Sequence, residues 1–110
     1  MKTIKSILQE MADCTANGKI VSGDVWLDWA LNLVSLWQNL KDEMTKYEML
    51  YKSEVVDLIE QGKKISEAER IIEAKSESYK MYKYLQGRDK IVGEMILLAK
   101  VRSKMGKEYL

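Results

Sequence analysis

From Trp26 onward, apolar side chains recur in steps of four and three: Trp26, Ala30, Leu33, Trp37, Leu40, Met44, Tyr47 and Tyr51. That alternation keeps one stripe on one face and predicts a single long helix over residues 24–61, with coiled-coil-like packing. Leu58 extends the stripe, and Glu54 is the one position that breaks it. Upstream, Ile4, Ile7, Leu8 and Met11 fall on one face and predict a short helix over 3–16, stopped by Asn17-Gly18. Residues 19–23 read as a linker whose Ile20 and Val21 tuck inward, with Ser22 or Asp24 as the cap of the long helix. Gly62 reads as the stop of that helix. Ser66-Glu67-Ala68-Glu69 has the form of a capping box and predicts a second long helix over 67–104, frayed beyond that. Its stripe is Ile71, Ala74, Ser78, Tyr82, Leu85, Val92, Met95 or Ile96, and Ala99, with Gly87 and Gly93 allowing a bend or a close helix contact.

Two long helices joined by a short loop run antiparallel. The fold class is therefore all-α: one helical domain over 1–110, built as a long coiled-coil-like hairpin with a short N-terminal helix. With the turn centred at 63–64, residue i sits level with about 127 − i, given equal rise in both arms. That places Trp26 beside Val101 and Trp37 beside Lys90. The segments 25–37 and 91–101 are apolar over more of their girth than a two-helix seam uses. The first helix has four apolar side chains to cover them, so the expectation is a dimer, with two open ends paired as a helical bundle.

Composition supports the helical reading. The chain has 110 residues and no proline, with 46% hydrophobic and 32% charged residues, which suits a folded domain and removes the strongest helix breaker. The single cysteine, Cys14, excludes an intrachain disulfide. The Lys2 and Lys5 start runs into Gln9, Glu10 and Asp13 without an apolar core, so no signal peptide is expected. No stretch approaches the roughly 18 apolar residues of a membrane span. The expectation is a soluble, cytoplasmic protein without membrane association.

Candidate chemistry is thin. With no histidine, triads, imidazole acid–base catalysis and histidine metal sites are all excluded. The glycines form no phosphate-binding motif, so no enzyme activity, catalytic residue, metal or cofactor is expected. Surfaces carry more. Trp26, Trp29, Leu33, Trp37, Ile96 and Val101 form the candidate oligomer or partner interface, with Trp29 off the main stripe as its leading member. Tyr47, Tyr51, Tyr79, Tyr82 and Tyr84 lie among lysines, a pattern that suits base stacking and, more simply, amphipathic packing. Net charge is +1 for the whole chain, yet residues 80–110 hold eight basic and three acidic side chains. Arg88, Lys100, Arg102 and Lys104 are the candidate phosphate contacts there, although cations near a helix C-terminus also complement its dipole.

Residues 60–105 resemble small helical proteins of bacteriophage early regions, through the turn Gly62-Lys63-Lys64-Ile65-Ser66-Glu67-Ala68 and the Tyr-containing, Lys/Glu-rich helix after it. The WLDWALNL opening of the long helix, from Trp26 to Leu33, has the same look. The resemblance implies a phage accessory protein in a bacterial cell that binds replication, recombination or defence machinery. The leading expectation is a homo-oligomeric helical interaction module whose partners are itself and another protein. The alternatives are a nucleic-acid-binding protein using the basic last helix, and a virion component or assembly chaperone.

Overall fold

A computed structural model describes residues 2–108 and holds four helices: α1 (Ile4–Ala16), α2 (Gly23–Glu60), α3 (Ile65–Lys75) and α4 (Glu77–Glu108). Among the described residues there is no strand. The chain divides into two compact units. The first takes in the chain up to Asn39 and from Lys90 onward, and the second is Leu40–Asp89. The long helices α2 and α4 pack against each other as the arms of a hairpin.

Local sequence sets most of the ends. α1 and α2 both finish at a glycine in the left-handed region, Gly18 at φ 65° and Gly62 at φ 99°. Each closes a Schellman motif. The Lys19 N–H bonds the Cys14 carbonyl and the Gly18 N–H that of Thr15, while Lys63 and Gly62 bond Leu58 and Ile59 in the same pattern. Ser22, rather than Asp24, caps α2: its carbonyl accepts from Val25 and Trp26, and its hydroxyl lies 3.4 Å from the Val25 amide. α1 opens with a reciprocal box in which the Thr3 hydroxyl accepts from the Ser6 N–H and the Ser6 hydroxyl accepts from the Thr3 N–H. A serine stands there in place of the usual Glu or Gln.

The Ser66 capping box does not form. α3 begins at Ile65 with Lys64 as its cap residue and no side-chain capping bond. The turn at Gly62 lets the Lys64 carbonyl accept from Ala68, so the helix starts early and Ser66 already lies inside its first turn.

The second arm is also not one helix over 67–104. Ser76 is extended, with ψ 126°, and separates α3 from α4. Its N–H ends α3 on the Ile72 carbonyl, and its own carbonyl starts α4 by accepting from Lys80. Its hydroxyl accepts from the Tyr79 N–H at 3.2 Å and donates to the Glu54 carboxylate. Glu54, the residue that breaks the apolar stripe of α2, thus faces the polar break in the opposite arm and the positive end of α4. The last helix runs on to Glu108, past the expected fraying at Lys104.

The register moves with the break. In the second unit Lys41 pairs with Asp89 at 3.1 Å, Tyr82 bonds Glu48, the Tyr51 and Tyr79 rings meet edge-on, and Glu54 meets Ser76. In the first unit the Trp37 indole lies against Gly93, not Lys90. Residue i therefore faces about 130 − i, at the usual rise in both arms, three positions from the expected register. The segment from 61 to 76 consumes more chain than a direct reversal at 63–64 would.

Each unit has its own core. The first buries Ile7, Met11, Trp29, Leu33, Val92 and Ile96, and the second buries Leu40, Ala68, Ile72 and Leu85. Burial of a large aliphatic side chain stabilises by about 1.5–3 kcal/mol, so Ile7 and Met11 are what hold α1 in place. Up to the break the buried positions of the second arm are Ala68, Ile72 and Ser76, while Ala74 of the expected stripe is exposed. Ile20 is exposed as well and does not tuck inward, unlike half-buried Val21.

Candidate interaction surfaces

In the first unit α1 occupies the side of the hairpin that carries Trp26 and Trp29. The two indoles meet edge-on at 5.1 Å, and the Trp29 Nε1–H donates to Glu10 at 3.0 Å. Trp29 is only 4% exposed, and Leu33 and Ile96 are buried too. These three cannot contact a partner in this conformation, because α1 and the opposite arm already fill their surroundings. Trp26 and Trp37 are half-buried, and Val101 alone of the six expected interface residues is exposed. The Trp37 indole lies against Gly93 of α4. A Cβ there would meet the indole at 3.4 Å.

α1 leaves the other side of the same helices open. At about 100° per residue, Leu31 and Val34 lie well round α2 from Trp29, and Leu97 lies well round α4 from Met95. Leu31 is 60% exposed and Leu97 65%, with Val34 and Val101 also exposed. Sequence reasoning placed a surplus apolar surface in these segments. Which members stay outside depends on where α1 docks.

Two grooves border α1. One, of 540 Å³, runs between Leu8 and Met11 of α1 and Ile91, Met95 and Leu98 of α4. The other, of 430 Å³, lies by Trp26 and the 18–21 linker, with Lys19 and Arg102 on its walls. Cys14 is a free thiol, partly exposed.

The basic residues of the last helix do not make one strip. In the first unit Lys100 and Lys104 share a flank of α4, whereas Arg102 points some 200° away from Lys100, into the groove beside Trp26. Arg88, in the second unit, packs its guanidinium over the Tyr84 ring at 5.9 Å.

In the second unit Tyr51, Tyr79 and Tyr82 form one cluster, with both ring pairs at 5.2 Å. Rings this close touch each other and leave no slot for a base between them. Tyr47 instead carries Lys46 over its ring, and Tyr84 is exposed. The Tyr82 hydroxyl donates to Glu48, which holds Tyr82 protonated above its ordinary range, with burial adding to the effect. The same bond, aided by Lys52, holds Glu48 below the usual carboxylate range. Burial raises Tyr51, against the opposing charge of Lys52.

Beside this cluster lies a cleft of 610 Å³ that the sequence did not signal. α2 supplies one wall with Lys52 and Val56. α3 and α4 supply the other, with Ile65, Glu69 and Glu73 followed by Tyr79 and Lys83. Sequence reasoning missed it because a continuous helix over 67–104 would align α3 with α4 and offer no such wall. The only cues were Glu54 in an apolar stripe and a serine at 76 followed by Glu77.

Among the described residues no group of three or more Cys, Asp and Glu is arranged to hold a metal ion. Among them, too, no helix is long and apolar enough to cross a membrane. No protein-family model matches the chain, and neither a curated protein nor a solved structure does.

Proposed function

We propose that this chain is a non-enzymatic accessory protein of phage type that works as a homo-oligomeric helical interaction module in the bacterial cytoplasm. One observation carries the reading. Large apolar side chains remain exposed at helical spacing after each unit has closed its own core. They are Leu31, Val34, Leu97 and Val101 in the first unit and Met49, Val56 and Ile65 in the second. Such a module acts by occupying a helical surface on replication, recombination or defence machinery. The cations of α4 offer no comparable support for nucleic acid as the ligand, because they point to different sides of the helix.

Light scattering on a sizing column over two decades of concentration tests the reading. The expected result is a mass at least twice the 12.8 kDa of one chain. A monomer mass at every concentration refutes self-association.

A further inference from the structure

We propose that the cleft of the second unit is where a second copy of this chain docks, antiparallel, with the acidic end of each cleft against the basic end of the other. The inference rests on the reading of the chain as self-associating and names the surface used. Its basis is the order of charges along the cleft. Following the α3–α4 wall, Glu69 and Glu73 come first and Lys83 comes after them. α2 runs the opposite way, so Val56 lies toward the acidic end and Lys52 toward the basic end. The cleft is thus negative near the turn and positive away from it.

A two-fold dimer uses the same patch on both copies, so the patch must complement itself. A cleft with its two signs at opposite ends meets that condition when the second copy lies antiparallel. Glu69 and Glu73 of each copy then face Lys52 and Lys83 of the other. Apolar groups that water now covers flank the acidic end: Val56 is 50% exposed and Ile65, one turn before Glu69, 62%. Burying these from both copies supplies affinity, and the charges supply register and choice of partner. The ties already made by the lysines are weak competitors. Lys52 pairs with Glu48 at 3.3 Å on the surface, and Lys83 bonds the Gln86 amide. Exposed pairs of this kind contribute little and exchange readily. The two grooves of the first unit carry Lys19 and Arg102 and no carboxylate, so neither complements itself in this way.

Charge inversion tests the proposal. K52E/K83E makes the cleft acidic throughout, and E69K/E73K makes it basic throughout. All four side chains sit on the surface, so helix content by circular dichroism is expected to be unchanged. Each variant alone is expected to dimerise at least about tenfold more weakly than the native chain, since like charges then face each other. An equimolar mixture of the two is expected to recover the dimer, as a heterodimer. If both variants dimerise like the native chain, the cleft is not the interface, although self-association stands. If both are monomeric and the mixture is too, complementary pairing of the cleft is wrong. If the native chain is itself a monomer at every concentration, the self-association reading fails and this inference fails with it.

Discussion

Replacing Ser76 with alanine puts the best helix former at the residue that separates α3 from α4. If the break were incidental, Ser76→Ala would stabilise the protein by about 0.5 kcal/mol, the difference in helix propensity. The structure gives the opposite sign. The Ser76 hydroxyl caps α4 by accepting from the Tyr79 N–H, and it donates to Glu54 across the hairpin. Losing a serine cap costs about 1 kcal/mol. Leaving the half-buried Glu54 carboxylate without its donor costs about 1 kcal/mol more. The expected net effect is therefore a destabilisation of about 2 kcal/mol, less the small propensity gain. Urea unfolding monitored by far-UV circular dichroism, at fixed protein concentration, measures it. A cycle with Glu54→Ala separates the two parts. In that background Ser76→Ala is expected to cost only the cap, which gives a coupling of about 1 kcal/mol. A neutral or stabilising Ser76→Ala, or strict additivity with Glu54→Ala, refutes the idea that the break is held by this pair.

The glycines separate two effects of the same substitution. Gly62→Ala is expected to cost about 1 kcal/mol because its φ of 99° strains any side chain, while Gly87→Ala, in open space within α4, is expected to gain up to about 1 kcal/mol. Thermal melts that rank the two variants the other way would contradict the helix-end assignments. Trp29→Phe keeps the buried ring but removes the bond to Glu10, so α1 is expected to loosen by about 1 kcal/mol. Faster proteolytic cutting in the 17–22 linker reports it, and unchanged cutting would count against the bond. The Tyr82–Glu48 bond predicts a pH dependence with two limbs. Glu48 is depressed, so its contribution is present above the ordinary value of 4.5 and is lost as pH falls below it. Tyr82 is raised, so its contribution is present below the ordinary value of 10.0 and is lost as pH climbs past it. Tyr82→Phe is expected to flatten both limbs in a scan of Tm against pH, and a scan that matches the native chain would show that the bond contributes nothing.

Local chemistry determined what could be read from the sequence alone. The 3/4 spacing from Trp26 to Tyr51 places one apolar stripe on α2 whatever surrounds it, and that stripe needs a partner arm. Gly18 and Gly62 end helices because they enter the left-handed region at little cost, which is a property of one residue and its immediate neighbours. Ile7 and Met11 mark the inner face of α1 in the same way. The tertiary structure decided what depends on the second arm. The Ser76 hydroxyl caps α4 locally, and it also bonds the Glu54 carboxylate, which lies 22 positions away in sequence. The break at Ser76 goes with a register three residues from the expected one and with the charged cleft beside it. The docking side of α1 was decided the same way. Packing around Trp29 buries one side of an apolar girth that the sequence shows only as broad, and leaves Leu31, Val34 and Leu97 in water. Amphipathic periodicity fixes how much apolar surface a helix carries, but which part of it meets another helix is a property of three-dimensional packing.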